Sequence, residues 1–292
     1  MLLINVFFVL PQLVEFSVNP AVSVIVTTKN EEDKIRACLE SLLKQSMPPL
    51  EMIVVDDFSE DKTTEIAQEY GAKVFQLGPE RSAQRNYGVE KASGKYILYL
   101  DSDMRLTPKV IEECVNCCEK DSDVSGIYIP ELIVGEGFWI NVRRFERSFY
   151  DGTVIDAVRF VPKRAFKHVE GFDLKLTGPE DWDFDKKIRR MGKTILVKAN
   201  LEHDEGNFNL KKYLNKKNYY SKGFDNYSKK WGKDDPDIRK QFGIWYRFFG
   251  VFTENGKIFK LLGHPILTLS VYYLRIRVGI IYLLTNINKK MA

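Results

Sequence analysis

Asp101-Ser102-Asp103 closes the apolar run Tyr96-Ile97-Leu98-Tyr99-Leu100, so two carboxylates one residue apart sit where a buried strand would empty into solvent. Such a pair concentrates negative charge that a divalent cation can neutralise. Magnesium and manganese prefer hard oxygen ligands and commonly share them with substrate phosphates. A second acidic pair, Asp56-Asp57, ends the run Met52-Ile-Val-Val55, and a third cluster, Glu180-Asp181-Trp182-Asp183, follows Gly178-Pro179. Carboxylates at a helix start are favoured by its dipole, which accounts for one of these acids more easily than for three beside a tryptophan. Arg81 and Arg85 stand one helical turn apart and can offer two guanidinium forks to a diphosphate, with surface ion pairing as the alternative use.

These residues need a frame that brings them together. Val22-Ser-Val-Ile-Val-Thr27 reads as a buried strand, with Asn30 placed to cap a following helix that buries Ile35, Cys38, Leu39, Leu42 and Leu43 and ends before Pro48-Pro49. Strands at Met52–Val55, Lys73–Gln76 and Tyr96–Leu100 alternate with helices at Thr63–Tyr70 and Arg81–Ala92, and Thr107-Pro108 is read as the cap of a helix holding three cysteines. Alternation of this kind predicts an α/β fold with a mostly parallel sheet and right-handed crossovers. Parallel strands deliver their carboxyl ends to one edge, so Thr27–Asn30, Asp56-Asp57 and Asp101–Asp103 are expected to share one crevice. No GxGxxG or GxxxxGK[ST] follows the first strand, which removes the dinucleotide fingerprint and the P-loop.

Composition bounds the rest. The 292 residues, 44% hydrophobic and 29% charged, suit a folded α/β core. The net charge of +4 hides a division: residues 206–292 carry 17 Lys or Arg against 5 Asp or Glu, while residues 1–205 carry 27 against 35. An acidic first part suits a metal and its substrate, and a basic, aromatic-rich last part suits phosphate in some form: a membrane surface, a lipid phosphate or a nucleic acid. Three segments follow: an apolar stretch at 1–19, an α/β domain at 20–205 and a basic helical tail at 206–292. Cys38, Cys114, Cys117 and Cys118 lack the partners of a zinc site and read as reduced thiols in a reducing compartment. Met1–Leu13 lacks a basic start, is too short to span a bilayer and is broken by Pro11. Pro265–Leu284 is apolar except for Arg275 and Arg277, whose cost at a bilayer centre favours a helix lying in the interface.

Seven segments in order, Val24-Ile-Val-Thr-Thr-Lys-Asn-Glu31, Ile53-Val-Val-Asp-Asp57, Gln84-Arg-Asn86, Ala92-Ser-Gly-Lys-Tyr96, Leu100-Asp-Ser-Asp103, Gly171-Phe-Asp173 and Glu180-Asp-Trp-Asp183, resemble family 2 glycosyltransferases of the GT-A fold. The resemblance implies that Asp57 bonds the nucleotide base, that Thr27 and Glu31 form the base and ribose rim, and that Asp101 contacts the sugar nucleotide. It also implies that Asp103 holds Mg²⁺ or Mn²⁺, and that Asp181 is the base of an inverting displacement, with Glu180 and Trp182 beside it on the acceptor side. His203, after the last expected strand, matches a position where some members place a further metal or diphosphate ligand. Processive members carry Gln-x-x-Arg-Trp after the acid, whereas this chain reads Lys186-Lys-Ile-Arg-Arg-Met-Gly192, which favours addition of a single sugar.

The expectation is therefore a metal-dependent transferase on the cytoplasmic face of a membrane, using a nucleotide-sugar donor and a lipid-linked or glycan acceptor, with no nucleic acid partner. Two alternatives stand beside it: a nucleic-acid-binding protein with an inactive α/β domain, and a sugar nucleotidyltransferase lacking its usual glycine-rich loop.

Overall fold

The computed structural model describes residues 21–291, so the apolar stretch at 1–19 lies outside the described residues. The first half alternates as expected: β1 (Val22–Thr28), α1 (Glu32–Leu43), β2 (Glu51–Asp56), α2 (Thr63–Glu69), β3 (Lys73–Gln76), α3 (Arg81–Lys91) and β4 (Tyr96–Asp101). Then come β5 (Met104–Leu106), α4 (Val110–Lys120), β6 (Val124–Tyr128), β7 (Glu131–Glu136), α5 (Phe138–Arg147), β8 (Phe160–Pro162) and α6 (Lys163–His168). The domain closes with α7 (Glu180–Met191), β9 (Lys193–Leu196) and β10 (Leu201–Asn207).

Seven strands form one sheet in the order β3-β2-β1-β4-β8-β6-β9. All pair in parallel except β8, which runs antiparallel to both β4 and β6. Every residue of β1 is buried, the signature of a central strand covered on both faces. Val22, Val24 and Val26 point into a layer with α1 and α4 that contains Ile35, Leu39 and Ile111, while Ile25 points into the opposite layer with Val89, Phe184 and Ile188. Gly88 lets α3 lie close against β1, for a Cβ there would meet Ile25 Cγ2 at 2.4 Å. Cys38, Cys114 and Cys118 fill the first layer as free thiols, and burial pushes the Cys118 thiol up to about 12. A second, smaller sheet, β5-β10-β7, sits beyond the carboxyl end of β4.

Two expected caps are not made, because their side chains bridge loops instead. Asn30 takes φ +50° and accepts from the Glu60 N–H at 2.9 Å, leaving Glu31 as the residue that precedes α1. Thr107 donates to the Asn200 carbonyl at 2.7 Å, and α4 starts at Val110.

The basic tail folds back over the domain. It comprises α8 (Leu210–Ser221), α9 (Phe224–Trp231), α10 (Pro236–Phe242), a π turn at Tyr246–Gly250 that continues as α11 (Val251–Thr253), then α12 (Ile258–Gly263) and α13 (Pro265–Met291). Val251, Phe252, Leu261, Val271 and Leu274 share one apolar core with Val142, Phe145 and Phe149 from α5 and the turn after it. Arg275 is buried there, with Nε donating to Glu146 at 3.0 Å and its guanidinium 4.2 Å from the Phe252 ring. Pro265–Leu283 is long and apolar enough to cross a membrane, with mean hydropathy 1.5, but one face of it is fastened to the domain. Its other face is an exposed apolar row of Ile266, Leu269, Tyr273, Ile276, Ile280 and Leu283.

Candidate active site

The register of the sheet decides which acids meet. Thr27 lies opposite Asp101 and Thr28 opposite Asp56, so the ends of β1, β2 and β4 form one edge. Thr27 Oγ1 donates to Asp101 Oδ1 at 3.0 Å. Asp57 is buried at the same edge and accepts from Lys29 Nζ at 2.8 Å. Its carboxylate rests on Gly78, where any Cβ would overlap it. Asp56, by contrast, accepts from the Ser59 N–H at 2.8 Å and fixes the turn after β2. Glu31 stands beside this edge near Asp103 and Lys212, and burial pushes its carboxyl up against the pull of Lys34.

Arg85 joins this edge to α7. Its guanidinium is fully buried, donating to Asp181 Oδ1 at 2.7 Å and to Asp101 Oδ1 at 3.0 Å, and lying 4.9 Å from the Tyr99 ring and 5.1 Å from that of Phe172. Arg81, one turn earlier, donates to Asp101 Oδ2 at 3.3 Å, Glu180 Oε1 at 3.2 Å and Tyr220 Oη at 3.1 Å. The two arginines face the same way, but they differ in access. Arg81 remains 35% exposed, whereas Arg85 is committed to the two carboxylates and does not open to the crevice. Burial raises the cost of charging Asp101, yet Arg85 and Arg81 hold its carboxyl well below the usual range. Glu180 moves the other way: burial and the neighbouring Asp181 push it up, and Oε2 is buried without a partner.

Asp103 occupies the turn into β5, where the small sheet brings β10 across. Asp103 Oδ2 faces His203 Nε2 at 3.2 Å, and His203 Nδ1 faces Glu131 Oε1 at 2.8 Å. Glu131 in turn accepts from Arg147 and Arg159, each at 3.3 Å. Burial opposes charge on His203, but hydrogen bonds to Asp103 and Glu131 outweigh it and push the imidazole up to about 10. Asp103 Oδ1 is buried with no hydrogen-bond partner.

Trp182 departs from expectation. One residue beyond Asp181 turns the side chain 100° around the helix, and the indole packs near Phe224, Tyr227 and Phe242 while its Nε1 donates to the Ile155 carbonyl at 3.2 Å. It braces α7 against the tail instead of lining the crevice. Glu131 and Arg159 stand alone in unrelated segments and Tyr220 lies in the basic tail, with no motif to mark any of them, and only the fold gathers them.

Two glycines close the arrangement. A Cβ on Gly178, at φ +101°, would lie 2.4 Å from the Tyr220 carbonyl oxygen, and one on Gly223 would lie 2.1 Å from that of Thr177. Their absence of side chains lets the end of α8 press onto the turn that starts α7. A cleft of about 720 Å³ opens beside this contact, with Arg81, Glu180 and Thr177 on one wall and Lys212, Lys216 and Tyr220 on another.

Comparison with known proteins follows from this geometry. The family model for glycosyl transferase family 2 matches residues 23–168. Putative glycosyltransferase EpsH of Bacillus subtilis is 37% identical over 111 residues, 36% of this chain and 32% of that protein. The matched stretch thus spans about a third of the length of the first curated relatives. Among solved structures, the mannosyltransferase PcManGT from Pyrobaculum calidifontis, in complex with GDP-Man and Mn²⁺, has TM-score 0.57 and 17% identity over 94% of this chain and 81% of its own. TarS 1-349 of S. aureus in complex with UDP-GlcNAc has TM-score 0.51 and 20% identity, with 89% of each chain covered. The GT-A architecture is shared with both.

Proposed function

This chain belongs to glycosyl transferase family 2 and is a glycosyltransferase of the GT-A fold; from that premise we propose that it transfers one sugar, with inversion, from a UDP- or GDP-sugar to a hydroxyl or phosphate of a lipid-linked or glycan acceptor. The observation that carries this reading is the Arg85 bridge, which holds the strand-end acid Asp101 and the helix-start acid Asp181 on opposite sides of one guanidinium. A donor seated on the strand end then presents its anomeric carbon to an acceptor beside the helix start.

Asp181 is the base. It lies in the first turn of α7, where the helix dipole favours a carboxylate, and its side chain is 27% exposed to an incoming hydroxyl. In the step, the acceptor oxygen bonds to the anomeric carbon, its proton passes to Asp181, and the carbon–oxygen bond to the diphosphate breaks with the electron pair leaving on the diphosphate. Asp57 reads the base, Thr27 and Glu31 form the ribose rim, and Arg81 is the cation open to the diphosphate, while Asp101 and Glu180 keep Arg81 in place.

The residues fit Mg²⁺ or Mn²⁺. Asp103 offers a buried, unpartnered Oδ1, and His203 Nε2 faces the same carboxylate. Among the described residues no group of three His, Cys, Asp or Glu side chains could hold a metal alone, as suits an ion that shares its ligands with a diphosphate. When bound, the ion neutralises charge on the departing diphosphate. Glu131 holds the His203 ring so that Nε2 faces Asp103.

The exposed row on α13, continued by Phe259 and Leu262 on α12 and by Trp245, supports a peripheral position on the cytoplasmic face of a membrane. Nucleoside diphosphate release from a panel of nucleotide sugars, with Mg²⁺ or Mn²⁺ and with or without a lipid extract, tests the reaction. No release from any donor would overturn it. Flotation with anionic liposomes of the full chain against Leu269→Glu/Ile276→Glu tests the membrane face, and equal flotation would remove it.

A further inference from the structure

α8 carries Lys211, Lys212, Lys216 and Lys217 and no acid along its whole length. Lys212 and Lys216 stand four residues apart on one face, a like-charge spacing that costs an isolated helix a few tenths of a kcal/mol. Neither has an ion-pair partner among the described residues, whereas Lys29, Lys73, Lys95 and Lys193 of the α/β domain each face a carboxylate. Both line the 720 Å³ cleft, where Arg81, Lys211, Lys212 and Lys216 outnumber the carboxylates Glu80 and Glu180. Glu180 is already bound to Arg81, and Glu80 accepts from Thr177 and Tyr219, so neither acid is spent on the lysines. The hydroxyl of Tyr220 is engaged by Arg81 from the facing wall. Lys212 lies near enough to Glu31 for its charge to act on that carboxyl, which puts the lysine row beside the proposed donor rim.

We propose that Lys212 and Lys216 form an anion subsite in this cleft that binds a phosphate or phosphodiester group of the acceptor, making the acceptor itself a phosphate-bearing molecule. The inference rests on the glycosyltransferase reading of the adjoining site. A phosphodiester offers anionic oxygens to each ammonium group, a stronger charge-assisted bond than the neutral hydroxyls of an uncharged sugar acceptor make. The same chemistry could be supplied by the donor diphosphate, and the test separates the two sources.

The full chain and its Lys212→Gln/Lys216→Gln variant are titrated with a synthetic glycerol phosphate hexamer, and separately with UDP and GDP in the presence of Mn²⁺. A matched control, Lys222→Gln/Lys229→Gln, removes the same charge from exposed lysines outside the cleft. The expected result is a loss of about ten-fold or more in hexamer affinity for the cleft variant, about 1.4 kcal/mol per ten-fold, with nucleotide affinity within two-fold of wild type and the control unchanged. Parallel loss of nucleotide affinity would assign the lysines to the donor and overturn the proposal. So would hexamer binding that is unaffected, or reduced as much in the control. Failure of the wild-type chain to bind any nucleotide would instead strike the glycosyltransferase reading, independently of how the hexamer behaves.

Discussion

Replacing Arg85 by Gln removes the one cation that, among the described residues, touches both Asp101 and Asp181. The guanidinium is fully buried and Asp101 is only 19% exposed at its side chain, so the variant leaves an enclosed carboxylate with Arg81 as its remaining cationic partner at 3.3 Å. Breaking a buried pair from one side costs about 3–5 kcal/mol, and the lost contacts of Arg85 with the Tyr99 and Phe172 rings add to this. Against a typical total of about 5–15 kcal/mol the variant folds with a narrow margin at neutral pH. The pH dependence is specific. Asp101 has a folded-state pKa held well below its unfolded value of about 3.9, so its contribution is complete above that value and is lost as the pH falls through the folded one. In the variant Asp101 takes up its proton earlier, and the stability gap between the two proteins narrows from about pH 5 downward. Urea unfolding midpoints at pH 7 and pH 4 measure that gap. A difference below about 1 kcal/mol at pH 7, or one that is the same at both pH values, would refute the reasoning. Arg85→Lys restores a charge but not the fork, so it should recover part of the stability while transfer stays impaired, because one ammonium cannot hold both carboxylates.

Further outcomes follow from the same geometry. Asp181→Asn should abolish sugar transfer, by about 10²–10⁴-fold or more for a lost base, while nucleotide affinity measured by calorimetry stays within two-fold. Asp103→Asn should weaken Mn²⁺-dependent binding of UDP or GDP and leave metal-free binding nearly unchanged. Gly178→Ala should destabilise the chain by about 1–3 kcal/mol, read as a lower thermal midpoint, because the added Cβ meets the Tyr220 carbonyl and parts α8 from α7.

Much of this was legible in the chain. Apolar runs ending in polar residues, threonines in β1 and acids in β2 and β4, mark these strands together with their shared edge, because a strand buried on both faces must be apolar and its end must be polar. Asp57, Asp101 and Asp103 could be placed for that reason. Arg81 and Arg85 were recognisable as a helical pair, but their unequal access was not, since spacing along a helix says nothing about what covers each position. Asn30 and Thr107 looked like caps from local composition and were drawn into loop contacts instead. Trp182 reads as part of an acceptor wall, but the turn of α7 packs it, half-buried, against Phe224 and Phe242 of the tail. Glu131 and Arg159 were invisible because the chain of contacts from Asp103 through His203 is assembled from residues far apart in sequence. The lysines of α8 were noticed as charge, but their position over the cleft depends on the close approach permitted by Gly178 and Gly223.

The core shared by α5 and α13 has a consequence for how relatives can be recombined. The family match ends at residue 168, so α5 lies within it and α13 beyond it, yet Glu146 on α5 bonds both Arg143 and the buried Arg275. The boundary of the family match is therefore not a seam of the fold. A chimera that takes the last ninety or so residues from another member must import α5 with them, or it encloses Glu146 with Arg143 alone, the second of its two arginines having been left behind in the parent.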